Sequence, residues 1–474
     1  MGAIGVRQTI TQLQGLGFKP IELERYCGSN KIWQTKIKRL RLPDLLCVET
    51  GVRTEVRAKS DLKIRMSDAP GNPARTWDAG LRDEDLVAFI SIIEDETGQR
   101  AAKEGMFFRI KQLRDSFGKS VLGPAKSASE GAERDRTWPA VVPSGNGIVR
   151  QVTAERLIVD IEREGRPRQT YNLQGKSSYV APGQRFLGRT SIIAGAPTHL
   201  ADVRSYLNHA YNPLEHLDSV NAVDRYAATK AIPYRDDLKQ HAIGPLEELL
   251  RVEQEPRIAL EAAGSLASIG SALGQDRIEE TIWGESRNDL RMEAVLILTE
   301  LATPFASDEL VRVASDRRTF QENEIRQAAV WGLGRSGLKA YEKILPFIDD
   351  REENVAAHAI VAFGNDTPEK VIRSLTQDLI DGDSRRAAAA SEVLRLIAND
   401  IVLRILIDAA TTTDSEWILA TLGRLPGELV RPAIANTTLM PKVAPLLLLG
   451  EGDNWLANKD RVMDIAFLTQ QNYG

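Results

Sequence analysis

The sequence predicts a multidomain chain with an N-terminal α/β domain, a small β-barrel module and a C-terminal α-solenoid of helical hairpins. Three patterns lead to this prediction. One helical and several strand-like segments occupy residues 1–120, five short alternating segments lie within 138–197, and alanine-rich segments recur every 30 to 36 residues from Val223 onward. The solenoid is assigned to 198–474, and the polar segment 121–137 is predicted to be a linker.

The N-terminal domain is predicted to begin with an amphipathic helix over Val6–Leu16 that Gly17 ends. Strand-like runs follow it. They read LPDLLCV, VRTEVRA and DLKIRM between residues 42 and 66, and LVAFISII from Leu86, which is typical of a buried strand. A turn at Thr50-Gly51 separates the first two runs. One helix with several strands predicts an α/β core.

Two carboxylates are expected to meet on these strands. Side chains alternate along a strand, so Glu55, Arg57 and Lys59 should share one face, and Asp44 should approach Glu55 across the hairpin. A carboxylate pair of this kind suits Mg²⁺, which prefers oxygen ligands. Such an ion polarises a scissile phosphate, and a neighbouring lysine orients the attacking water.

This arrangement resembles the PD-(D/E)xK nuclease superfamily, in which Pro-Asp on one strand precedes an acid, any residue and a lysine on the next. Here Pro43-Asp44 is followed by Glu55-Val56-Arg57, so the lysine position holds Arg57 and departs from the pattern. The resemblance covers about the first 115 residues. It implies a restriction-endonuclease-like fold, Mg²⁺ or Mn²⁺ as cofactor, Asp44 and Glu55 as catalytic metal ligands, and Lys59 as the substitute lysine. If Lys59 does not substitute, the domain binds nucleic acid without cutting it.

Positive charge is concentrated around these residues. Residues 31–66 contain ten Lys or Arg and four acids, with Trp33 nearby, a composition typical of phosphate-backbone contact. The alternative is a solvated β surface. The expected contacts to nucleic acid, DNA in particular, are Lys31, Lys36, Lys38, Arg39, Arg41, Arg57 and Lys63. Glu22 or Glu24 could supply a further acid, and Asp78 is either a turn residue or part of the same site.

The middle of the chain alternates with a period of two. The segments GIVRQV, RLIVDIE, RQTYNL, SSYVA and RTSIIAG, separated by turn residues, predict five short strands in a small barrel, SH3-like or similar. Such a module contacts nucleic acid, peptides or neighbouring domains. It is equally well explained as a structural spacer.

Six segments beginning at residues 223, 259, 290, 325, 355 and 385 share paired alanines followed by aliphatic residues. Small side chains permit close approach of helices, and a repeat of this length holds two helices that can bury their apolar faces only by stacking. The segments resemble HEAT and phycobilisome-lyase-like HEAT repeats, which implies a binding scaffold. The alternative is a generic α-helical bundle.

Composition limits the function classes. The net charge of −5 requires any nucleic-acid surface to be local, and two cysteines, Cys27 and Cys47, exclude a disulfide framework. We expect a cytoplasmic protein, because the sequence contains neither a signal peptide nor a membrane-spanning apolar run. Scattered histidines argue against a zinc site.

Two function classes follow. The first is a Mg²⁺-dependent nuclease or nucleic-acid-binding head joined to a scaffold that binds a protein partner, a domain combination that suggests bacterial antiviral defence by analogy. The second is a non-catalytic adaptor or sensor subunit of a larger protein or nucleic-acid complex.

Overall fold

The computed structural model describes residues 1–450 apart from 26–32, 34, 36–39, 97, 129–131, 163–164, 166, 285–286, 318–323 and 336. The chain divides into two compact units. The first comprises Met1–Cys27 and Lys38–Ser265, and the second comprises Gly28–Ile37 and Leu266–Gly474. Each unit is therefore built from two separate stretches of sequence.

The N-terminal part of the first unit has mixed α/β character, as predicted. Its elements are α1 (Gly2–Gly15), β1 (Pro20–Glu22), β2 (Leu45–Cys47), β3 (Arg53–Lys59), β4 (Ile64–Asp68), β5 (Leu86–Asp95), β6 (Gly98–Ala101), β7 (Met106–Arg109) and α2 (Ile110–Asp115). Helix α1 ends beside Gly17, whose φ of 95° is accessible to glycine at little cost. The four strand-like runs read from the sequence lie on β2, β3, β4 and β5.

A mixed sheet forms the centre of this part. Its strand order is β1-β2-β3-β5-β6, with β7 also paired to β5. The first three strands are antiparallel, whereas β3 and β5 run parallel. Helix α1 covers one face, where Val6 and Leu13 pack with Val56 and Ala58 of β3. The opposite face of β3 is thereby left to carry Glu55, Arg57 and Lys59.

The predicted linker at 121–137 instead contains two strands. Strands β8 (Val121–Ala125) and β9 (Arg134–Trp138) pair with each other, and β9 pairs with β4. Trp138 is fully buried, and the Arg136 Nε donates to the Asp68 carboxylate at 2.6 Å. The linker prediction was wrong because the charges that suggested a solvated segment are paired within a small sheet.

The middle module forms two sheets, and its described residues form no closed barrel, so that prediction is corrected. Its strands are β10 (Ala140–Val141), β11 (Gly147–Val152), β12 (Arg156–Ile161), β13 (Arg168–Asn172), β14 (Ser177–Ser178), β15 (Arg185–Phe186) and β16 (Ala194–Gly195). One sheet has the order β13-β12-β11-β15 and the other β10-β16-β14. Strands of two residues are too short to close a barrel, although one apolar core joins both sheets.

Helices complete the first unit. They are α3 (Val203–Tyr206), α4 (Ala222–Ala231), α5 (Lys239–Val252) and α6 (Pro256–Ser268), the last of which crosses the unit boundary at Ser265. Two ion pairs join this region to the β-rich part: Arg53 Nη1 lies 2.8 Å from Asp224 Oδ1, and Arg25 Nη2 lies 2.6 Å from Glu261 Oε1. The compact unit therefore extends well past the domain boundary predicted at residue 198.

The second unit is helical throughout its described C-terminal part. Its helices are α7 (Ala272–Gly284), α8 (Asn288–Leu301), α9 (Pro304–Ser315), α10 (Glu324–Leu333), α11 (Tyr341–Ile344), α12 (Glu353–Ile360), α13 (Glu369–Asp381), α14 (Ser384–Ile397), α15 (Asp400–Thr412), α16 (Glu416–Arg424), α17 (Gly427–Ile434) and α18 (Met440–Gly450). None of the described helices has the length and apolar character needed to cross a bilayer.

The six alanine-rich segments lie on alternate helices of the series, α4, α6, α8, α10, α12 and α14. Helix α10 packs against α8, α9 and α12, as expected for hairpins that contact the hairpins before and after them. The paired alanines Ala328 and Ala329 are fully buried at these crossings. The region is thus compatible with an α-solenoid.

An aromatic cluster in the second unit contains a residue from far upstream. Trp33, only 1% exposed, lies between Trp331 and His358, with ring centroids 6.1 Å and 5.4 Å away. The Thr35 backbone N–H donates to the Glu324 carboxylate at 2.9 Å. Trp33, which the sequence places near the predicted phosphate-binding residues, belongs to the core of the helical unit.

Lowering the pH is expected to destabilise the second unit through His358. Burial lowers the pKa of His358 from 6.5 to about 4, and its Nδ1 has no hydrogen-bond partner among the described residues. Between those values the unfolded chain binds a proton that the folded chain does not. The free energy of unfolding should therefore be unaffected above pH 6.5 and fall by about 3 kcal/mol as the pH falls to 4, at about 1.4 kcal/mol for each pKa unit.

Urea denaturation between pH 4 and pH 7, followed by circular dichroism, measures this dependence. The matched variant His358→Gln stays neutral, so its stability should fall less over the same range. Parallel curves for the two proteins would contradict the assignment.

Candidate functional site

The predicted carboxylates lie next to each other on the central sheet. The antiparallel register pairs Leu45 with Thr54, so Asp44, which immediately precedes β2, comes opposite Glu55 on β3. Burial alternates along β3, with Val56 and Ala58 buried and Glu55, Arg57 and Lys59 progressively more exposed. The hairpin geometry expected from the sequence therefore brings together the two acids that the nuclease resemblance singles out.

Asp44 is partly buried and held by the backbone. Its Oδ2 accepts a hydrogen bond of 2.7 Å from the Val56 N–H. Burial raises the pKa of Asp44 well above its usual range, and the negative charge of Glu55 raises it further, while the Val56 hydrogen bond and Arg57 act in the opposite direction. Glu24 adds a smaller effect of the same sign as Glu55. Negative charge at this place therefore needs a compensating cation.

Arg57 supplies that cation from the same strand. Its Nη2 lies 2.7 Å from Glu55 Oε1, and the two side chains are 27% and 14% exposed. The Nε of Arg57 is buried and has no hydrogen-bond partner among the described residues. Arg57 thus neutralises Glu55 and keeps one donor without an acceptor.

Two further arginines lie near this cluster: the Arg41 Nη1 donates to the Ala74 carbonyl at 3.4 Å, and the Arg75 Nη2 lies 3.5 Å from Glu133 Oε2. Burial lowers the pKa of Arg41; the charges of Arg57 and Arg75 lower it further, whereas Glu55 raises it. Gly80, with φ of 78°, lies against the Arg41 backbone, since a Cβ there would be 2.8 Å from the Arg41 carbonyl oxygen. Arg75 is not among the site residues predicted from the sequence, because its nearness to Arg41 depends on the fold rather than on a local pattern.

The other predicted residues have separate positions. Lys59 is exposed, and no hydrogen bond or ion pair is found for it among the described residues. Lys63 pairs with Asp61 at 2.6 Å, and both side chains are about half-exposed. Asp78 accepts from Arg114 Nε at 2.9 Å and its carbonyl closes a turn with Leu81, which favours the turn interpretation. The predictions for Lys31, Lys36, Lys38 and Arg39 fall outside the described residues.

The residues do not fit a divalent cation as they stand. One Glu55 oxygen is engaged by Arg57, and one Asp44 oxygen is engaged by a backbone N–H. Within the described part of the chain no group of three or more His, Cys, Asp or Glu side chains could hold a metal ion. A metal ion at this pair would have to displace the Arg57 guanidinium.

A cavity of about 680 Å³ lies elsewhere in the first unit, where Tyr179, Phe186 and His199 are among its lining residues. Neither the two carboxylates nor the three arginines line it. Several of its polar groups already have internal partners, since the Gln12 amide pairs with the Gly105 backbone and the Tyr179 hydroxyl donates to the Pro197 carbonyl. The carboxylate–arginine cluster is therefore the better candidate site.

Acids outnumber bases in the helical unit, with 28 Asp or Glu and 20 Lys or Arg in residues 266–450. An ion pair joins each odd-numbered helix from α7 to α13 to the next odd-numbered helix. The pairs are Arg312 to Glu279, Lys343 to Asp308, Lys370 to Glu342 and Arg404 to Glu369, at 2.6–3.4 Å. Each base comes from the later helix and each acid from the earlier one. This face offers a phosphate backbone no excess of positive charge.

Comparison with models of known protein families gives no match for this chain, and a search of curated proteins finds none that is significantly similar.

Proposed function

We propose that the first unit binds the phosphate backbone of a nucleic acid, DNA foremost, through Arg41, Arg57 and Arg75, and that the helical repeats are a scaffold for a protein partner. The observation that carries this proposal is the position of Arg57 beside Glu55 on the sheet, with Arg41 and Arg75 near enough for their charges to interact. More specifically, we propose that the first unit is a nuclease-like domain that binds nucleic acid and that the helices are HEAT-type repeats.

The electrostatics support an anionic ligand. Like charges held close together cost free energy, and an incoming phosphate would offset that cost. Arginine is well suited to this role because its planar fork matches phosphate geometry.

The role proposed for the repeats rests on their excess of acidic residues. On the face formed by α7, α9, α11, α13 and α15, the basic residues of these ion pairs are each neutralised by an acid. This face is therefore poorly suited to bind nucleic acid. Stacked hairpins present extended surfaces that commonly bind proteins. Together these features describe an adaptor that joins a nucleic acid to a protein.

Binding can be measured by fluorescence anisotropy with labelled duplex DNA, single-stranded DNA and matching RNA, in EDTA and over a range of salt concentrations. Arg75→Gln, at a side chain 60% exposed, and Arg41→Gln are each expected to weaken binding about tenfold and to reduce the salt slope by about 1. The matched control is Arg251→Gln, 71% exposed on α5, which should bind like the wild type. Equal affinity of all four proteins would reject the arginine cluster as the binding site.

Metal-dependent cleavage is the second candidate, favoured by the exposed Lys59 on the same face as Glu55. Incubation with Mg²⁺ or Mn²⁺ would then nick the nucleic acid, and Asp44→Ala and Glu55→Ala would each abolish nicking. Equal cutting by the wild type and both variants would indicate a contaminant. No cutting by any of them supports the binding function.

A further inference from the structure

We infer that Arg57 takes the place of a divalent cation at the Asp44–Glu55 pair, so that the site works without metal and accepts a metal ion only when Arg57 is removed. Mn²⁺ binding tests this without nucleic acid, and failure of the proposed nucleic-acid function would leave the assignment of Arg57 untouched.

The position of the guanidinium is the first argument. Glu55 and Arg57 are two residues apart on β3, so both side chains leave the same face of the sheet, and their charged atoms meet at 2.7 Å. Asp44 lies opposite Glu55 in the antiparallel register. The charge of Arg57 also acts on Asp44, where it favours the carboxylate. The guanidinium therefore pairs with Glu55 directly across the register from Asp44, where a metal ion shared by the two acids would have to bind.

The charge balance is the second argument. Two partly buried carboxylates side by side repel each other, and removal of their cation leaves negative charge in a poorly solvated place. Such a pair gains a cation or a proton. Hard divalent ions bind through one or two carboxylates and keep several waters, so two acids are sufficient ligands once the arginine is gone.

The hydrogen-bonding state of Arg57 is the third argument. A guanidinium has five N–H donors, yet the buried Nε of Arg57 has no acceptor among the described residues. A side chain retained only to complete internal hydrogen bonds would not leave a buried donor unsatisfied. The charge of Arg57, rather than a full set of hydrogen bonds, explains its place beside the two acids.

The test is Mn²⁺ binding to the full chain, measured by electron paramagnetic resonance of the free ion and by calorimetry. The wild type is expected to show no specific site, whereas Arg57→Ala and Arg57→Gln should each bind about one Mn²⁺ per chain, as expected for a carboxylate pair. Adding Glu55→Gln to either variant should remove the new site. Arg65→Ala on β4 is the matched control, because Arg65 also pairs with acids but lies away from Asp44.

Circular dichroism and thermal denaturation establish that each variant is folded, and two different Arg57 substitutions guard against one that fails to fold. A folded Arg57 variant that binds no Mn²⁺ would overturn the inference. So would a wild-type protein that binds Mn²⁺ as tightly as the Arg57 variants, or a site that survives Glu55→Gln.

Discussion

Replacing Asp85 with alanine is expected to lower the free energy of unfolding of the first unit by about 3–5 kcal/mol, the cost of breaking a buried ion pair by removing one partner. Asp85 is fully buried and accepts from Arg53 Nη2 at 2.6 Å, Arg53 Nε at 3.0 Å and the Arg82 backbone N–H at 2.7 Å. The Arg53 guanidinium, itself 1% exposed, would keep Asp224 as its one acidic partner among the described residues. The buried guanidinium would lose a counter-charge, and several N–H donors would lose their acceptor.

Urea denaturation followed by far-ultraviolet circular dichroism gives the change in stability. Asp61→Ala is the matched control, because Asp61 pairs with Lys63 at a position 57% exposed, and its loss should cost less than about 1 kcal/mol. Asp85→Asn keeps the shape of the side chain but loses its charge, so its loss of stability should lie between those of Asp85→Ala and Asp61→Ala. Similar stabilities for Asp85→Ala and Asp61→Ala would show that the buried network does not hold the sheet together.

Trp33→Ala is expected to destabilise the second unit by about 3–5 kcal/mol, the range for removing a buried aromatic side chain. The indole contacts Trp331 edge to face and lies beside the His358 ring, and almost none of its surface is accessible. Alanine would leave a cavity among side chains that lie on two different helices. The effect should be confined to the helical unit.

Calorimetric unfolding of the full chain can assign the loss to one unit if the two units unfold separately. Trp33→Phe retains an aromatic ring and should lose less, and Leu448→Ala, at a side chain 68% exposed, should leave the transition unchanged. If Trp33→Ala unfolds at the wild-type temperature, the indole is not part of that core.

Local patterns predicted much of this fold because their physical causes are local. Alternation along β3 gave the shared face of Glu55 and Arg57, since successive side chains must point to opposite sides of a strand. Paired alanines marked alternate helices because only small side chains fit where helices cross closely. The approach of Asp44 to Glu55 followed from a hairpin with a short turn.

The remaining features depend on contacts between distant residues, which one sequence does not reveal. The polar residues of 121–137 looked like a linker, yet Arg136 finds Asp68 and Trp138 enters the core of the neighbouring sheet. In the sequence Arg57 is only a departure from the nuclease pattern, whereas in the structure it forms an ion pair with Glu55. Trp33 looked like part of a basic surface because its partners lie about 300 residues later.

That separation has a consequence for synthesis on the ribosome. At about 5–20 residues per second, roughly 16–65 s pass between translation of Trp33 and translation of His358, its more distant ring neighbour in sequence. During that interval the Trp33 indole cannot form its native contacts and is exposed to chaperones or to neighbouring nascent chains. Trp33 therefore reaches its native position only after the helices that surround it have been made, and a fragment containing only the later repeats would lack part of its own core.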